Sequence, residues 1–147
     1  MKEVWIFATI WLAMIAMGCW EASVEGRNPW DKRKLVWKIV FTKNLSLPSY
    51  HFYLFWVMWP LIVFVLPLII YGWNLKLFGI LISAYFSGMI IEDFTWYIVN
   101  PAVKLKEFYS KFSDYYPWLK IKGQKIIPLG YIVGIIIAVA SWYFLWR

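Results

Sequence analysis

The sequence predicts an all-α, polytopic membrane protein with four transmembrane helices and two interfacial amphipathic helices, and three observations predict it. Of 147 residues, 63% are apolar and only 16% charged, above the roughly 45–50% apolar content of ordinary soluble domains. Four stretches are apolar over the roughly 20 residues that a helix needs to cross about 30 Å of hydrocarbon. None alternates like a barrel strand. The chain also carries 12 Trp, 10 Tyr and 11 Phe, and Trp and Tyr favour the headgroup zone. We read residues 1–147 as a single transmembrane domain.

The first span runs from about residue 4 to 20. A signal peptide competes for it, because Lys2, the apolar run and Ala16-Met17-Gly18-Cys19 loosely resemble a lipoprotein cleavage site. That site wants leucine where Ala16 stands, so the span is read as retained. Asp31 to Lys43 then places Leu35, Val36, Ile39 and Val40 at helical spacing with lysines opposite, the pattern of a helix lying in the interface. The second span, about 50–71, contains Pro60 and Pro67. Each removes a backbone donor and predicts a kink or local unwinding. The third span covers 75–99. Val103 to Leu119 repeats the amphipathic pattern through Leu105, Phe108, Tyr109, Phe112 and Tyr116. Pro117 and Gly123 break it before a fourth span at about 126–146.

Basic residues set the expected orientation. Of 15 lysines and arginines, all but Lys2, Lys76 and Arg147 fall in the two long loops, which the positive-inside rule places in the cytoplasm, with both termini outside. The net charge of +7 therefore implies anionic headgroups of the cell membrane as partners. No nucleic-acid partner is expected.

An ionisable group inside a span costs about 2.5–3.5 kcal/mol on insertion scales and is a functional hypothesis by default. Glu92 and Asp93 lie in the third span roughly 10–12 Å from its end. As helical neighbours they point about 100° apart, so one faces a partner helix while the other meets a different neighbour. Ala84, Gly88 and Glu92 form a small-residue ridge, and Gly130, Gly134 and Ala138 form a second one that could pack against it. Glu21 and Glu25 share a helical face at the cytoplasmic end of span one, and His51, the only histidine, begins span two. By topology all five polar residues meet in the inner leaflet.

Carboxylates with one imidazole fit a divalent metal site made of Glu21, Glu25, His51, Glu92 and Asp93. They fit equally acid–base catalysis by Glu92 and Asp93 on a lipid-like molecule, or proton or cation transport. Plainer readings stand beside these. Glu25 can be ion-paired with Arg27, His51 can be an interfacial polar group, and the acidic pair can be bonded to Trp96, Tyr97 or Tyr85 as structural glue. A single Cys19 excludes a disulfide framework and Cys-x-x-Cys chemistry. Gly-rich phosphate loops, His-Glu-x-x-His zinc motifs and paired haem histidines are missing from the sequence.

The run Glu92-Asp93-Phe94-Thr95-Trp96-Tyr97-Ile98-Val99-Asn100-Pro101, with Tyr50-His51 and Glu25-Gly26 upstream, resembles uncharacterised small prokaryotic integral membrane proteins with an E-D-F-x-W-x-x-x-N-P signature. The likeness covers Glu21 to Pro128. The histidine that commonly follows the third span in those proteins has no counterpart in Tyr115-Tyr116-Pro117-Trp118. The resemblance implies a membrane location and no particular activity.

The leading expectation is an inner-leaflet acidic pocket that binds a metal ion or lipid-like molecule, with Glu92 and Asp93 as its catalytic candidates. An accessory subunit locked into a larger membrane complex is the second expectation, and a proton or cation transporter the third.

Overall fold

A computed structural model of the chain describes residues 1–27, 37–40 and 46–147. Among these residues four helices are long and apolar enough to cross a membrane: α1 (Lys2–Glu25), α2 (Ser49–Tyr71), α3 (Leu75–Val99) and α4 (Leu129–Trp146). The first extends past the expected residue 20 and the last starts later than residue 126, because Gln124–Pro128 is a strand. Gly72, at φ 76°, ends α2. Asn74 caps α3, its side chain accepting from the amide of Leu77 at 2.8 Å.

α3 is the central helix. One apolar core joins Ile10 and Met14 of α1 and Val63 of α2 to Leu81, Ala84 and Tyr85 of α3. Polar side chains tie the helices further, as expected where apolar burial alone gives little drive to associate. Trp11 donates to Ser87 at 2.9 Å, Ser83 to the carbonyl of Ala138 at 2.8 Å, and Ser141 to the carbonyl of Gly79 at 2.8 Å.

The two small-residue ridges do not meet. A Cβ on Gly88 would lie 3.0 Å from Met14, so the α3 ridge faces α1, and Gly134 of α4 packs instead on Phe86 and Ile90. Two approaches are closer still: a Cβ on Gly18 would stand 2.6 Å from the Glu92 carbonyl oxygen, and one on Gly79 2.6 Å from Cβ of Leu145.

α2 loosens around its prolines. Phe52–Met58 and Leu61–Val65 are π-helical, with Pro60 between them and Pro67 just beyond. A widened turn accommodates a missing donor without breaking the helix.

Neither expected amphipathic helix is seen as a continuous helix among the described residues. Within Asp31–Lys43 the described part is extended: strand β1 (Lys38–Val40) pairs antiparallel with β2 (Ser46–Pro48), and residues 31–36 and 41–43 lie outside the described residues. Ile39 and Val40 are β-branched, which suits a strand as well as a helix face. Within Val103–Leu119 two 3-10 turns replace a continuous helix, Leu105–Tyr109 and Lys111–Ser113. Ser110 interrupts them. Its hydroxyl donates to the Glu107 carbonyl and accepts from the Phe112 amide, competing with the helical pattern.

Then β3 (Trp118–Ile121) and β4 (Gln124–Pro128) form a hairpin. Its turn residues Lys122 and Gly123 have φ of 50° and 81°. Positive φ at both positions is what a two-residue hairpin turn requires, and glycine meets that demand without strain. A second apolar core lies above the helices at this end, where Ala22, Trp96 and Tyr97 meet Val103, Phe108 and Trp118.

Candidate functional site

The sequence-predicted polar residues all line one cavity of about 630 Å³ at the loop end of the bundle. α1 contributes Glu21 and Glu25, and α2 contributes His51, Phe55 and Trp56. α3 contributes Phe86, Met89, Ile90, Glu92, Asp93 and Trp96, and α4 contributes Tyr131, Val133 and Ile137. Polar groups therefore gather where the helices meet the loops, and the rest of the wall is apolar. α2 and α4 flank α3 without a packed interface of their own. Trp56 of α2 and Val133 of α4 both line the cavity and are 69% and 54% exposed.

Within the cavity the acidic residues divide into two groups. Glu21 and Glu25, four residues apart on α1, present both carboxylates to His51. Its Nε2 stands 3.5 Å from Oε1 of Glu21 and 3.6 Å from Oε1 of Glu25. One ligand atom from each of the three residues falls within 4.8 Å of the others. Tyr50 donates its hydroxyl to Glu25, and the His51 ring packs against Tyr50 and Phe55. Glu92 joins this group from α3, its carboxyl in contact with that of Glu21. Oε1 of Glu21 and Oε1 of Glu92 are buried with no hydrogen bond among the described residues.

Asp93 belongs elsewhere. One of its oxygens accepts from the Tyr116 hydroxyl and the other from Tyr131, so both are committed to phenols. Burial, reinforced by the Asp93 carboxylate, pushes the Tyr116 hydroxyl well above its usual range and keeps it a donor. Burial likewise raises Tyr115, which shares a 2.5 Å hydrogen bond with Tyr97. The two neighbouring acids thus have different roles, one open to the cavity and one locked.

The anticipated partners are arranged differently. Arg27 turns to Glu107, with contacts of 3.2 and 2.6 Å, and donates to the Ala102 carbonyl at 2.8 Å. Tyr85 bonds the carbonyl of Phe55 and Trp96 Nε1 is buried without a partner. Tyr115, Tyr116 and Tyr131 are not evident from the sequence as site residues, because two lie in a loop and the third opens α4. The Tyr115-Tyr116 pair beside Pro117 is the available signal.

Asn100 fixes the frame of the site. Its side chain donates to the Gly26 carbonyl at 2.8 Å and accepts from the Ala102 amide at 2.8 Å, joining the end of α1 to the end of α3. No protein-family model, curated protein or solved structure matches this chain.

Proposed function

We propose that this is a multi-pass protein of the cell membrane that admits a lipid-like molecule sideways from the inner leaflet and sets its polar end against the carboxyl and imidazole groups. One observation carries the reading. The cavity has apolar walls, a polar end formed by Glu21, Glu25, His51, Glu92 and Asp93, and exposed lining residues Trp56 and Val133 on two helices that do not close on each other. A cavity of about 630 Å³ falls within the usual range for small-molecule sites, roughly 300–1,000 Å³.

The basic loops support the orientation. Twelve of 15 lysines and arginines flank this end, the charge bias of a cytoplasmic face beside anionic headgroups. Glu92, whose buried Oε1 has no hydrogen bond among the described residues, is then the acid or base offered to the guest. Asp93, held by Tyr116 and Tyr131, positions the wall.

The test is lipid mass spectrometry on protein purified in mild detergent from its native membrane. A single lipid class should be enriched over the bulk membrane extract in the wild type and lost in Val133→Trp, which narrows the opening. An extract matching the bulk membrane overturns the reading, and an empty cavity with a stoichiometric protein partner replaces it with an accessory subunit.

A further inference from the structure

We infer that Glu21, Glu25 and His51 form a binding site for a divalent transition-metal ion. The spacing is the first argument. At 3.5 and 3.6 Å from Glu21 and Glu25, His51 Nε2 is too far for a good hydrogen bond. Ligands held about 2.0–2.1 Å from a tetrahedral ion stand roughly 3.3 Å from one another. Two edges of such a polyhedron are therefore nearly in place, and the 4.8 Å limit on the set leaves a side-chain adjustment of about 1 Å to close the third.

Unpartnered oxygens are the second argument. Glu21 is 4% exposed and Glu92 5%, and among the described residues Oε1 of neither has a hydrogen bond, with the His51 imidazole 3.5 Å from that of Glu21. A buried carboxylate left in this state is strongly disfavoured unless a cation or donor meets it. Among the described residues no lysine or arginine pairs with either, and Arg27 is engaged by Glu107 and Ala102.

The surroundings hold the ligands in place. Glu21 and Glu25 ride one face of a single helix, and the Tyr50 hydroxyl bonds Glu25 as outer-shell donors do for metal-bound carboxylates. One imidazole with carboxylates favours Zn²⁺, Fe²⁺ or Mn²⁺ over Ca²⁺ or Mg²⁺. Asp93 is left out of the set because both its oxygens serve Tyr116 and Tyr131. Ion binding stands apart from the lipid reading, whereas a use for the ion as an anchor for an oxygen-bearing headgroup rests on it.

Elemental analysis of protein purified without chelators tests the site. About one transition-metal ion per chain is expected in the wild type, with at least a tenfold drop in Glu21→Gln and in His51→Gln, and no change in Glu107→Gln, which lies outside the cavity. Should a variant fail to fold, the wild type stripped with chelator serves instead: Zn²⁺ or Mn²⁺ added alone should raise its melting temperature by several degrees. Metal content at background in the wild type with no thermal shift overturns the inference, as does content that both cavity variants retain. Lipid enrichment without metal defeats the metal site alone, and metal without enriched lipid defeats the lipid reading alone.

Discussion

The Tyr85 hydroxyl of α3 donates to the carbonyl oxygen of Phe55 on α2 at 2.8 Å, and that carbonyl is one that Pro60 leaves without an amide donor. In the π-helical turn the Trp59 amide bonds Leu54. The next bond in that register would run from residue 60 to Phe55, and proline has no N–H to give. An unsatisfied carbonyl in hydrocarbon is costly, so a side chain from a neighbouring helix fills the gap.

Removing that donor should loosen α2. Tyr85→Phe is expected to destabilise the protein by about 1 kcal/mol, within the range measured for hydrogen bonds between membrane helices. Equilibrium unfolding in mixed micelles checks it. An unchanged midpoint would show that the carbonyl finds water or another donor.

Contact between α1 and α3 gives a sharper contrast. Gly18→Ala places a Cβ 2.6 Å from the Glu92 carbonyl oxygen, whereas a Cβ added to Gly130 would meet nothing within 4 Å. Overpacking typically costs about 1–3 kcal/mol, so Gly18→Ala should lower the unfolding midpoint while Gly130→Ala leaves it nearly unchanged.

The Asp93 cradle should behave as a unit. Tyr116→Phe and Tyr131→Phe each withdraw one donor from a buried carboxylate, a loss worth about 1–3 kcal/mol. In a double-mutant cycle with Asp93→Asn the effects should be non-additive. Additive losses would mean that the phenols stabilise the fold by packing alone.

The Arg27–Glu107 clip carries a pH signature. Hydrogen bonds from Arg27 and from the Lys104 backbone lower the Glu107 carboxyl to about 2. A folded-state value below the unfolded one means that the contribution is present above the ordinary carboxylate range, near 4.5, and is lost as pH falls toward 2. Acid unfolding of Glu107→Gln should therefore differ less from wild type at pH 2 than at pH 6. The effect is small, because an exposed pair is screened by solvent, and a constant difference across that range would remove the clip from the account.

The four long apolar helices were legible because 20 apolar residues have few other uses, and the place of Glu92 and Asp93 near the loop end of α3 followed from their distance to Asn100. Their separation into different partners was also legible, since adjacent helical residues diverge by about 100°. The loops were not. Ile39 and Val40 suit a strand as well as a helix face; Phe108 and Phe112 suit an aromatic core as well as a helical stripe, and there Ser110 breaks the helix through two short-range hydrogen bonds. The pairing of small-residue ridges failed for a related reason. Ridges show that a helix can be approached and do not say by which neighbour, and α3 is approached through Gly88 by α1.

Asn100 lies outside the cavity yet sets the depth of what is inside it. To slide α3 along α1 by one turn, about 5.4 Å, the chain would have to give up the bond from the Asn100 amide to the Gly26 carbonyl and force the Glu92 carbonyl past Gly18. α1 and α3 therefore form a locked ruler, and the level along the bundle at which Glu92 meets Glu21 is written by an amide at its end.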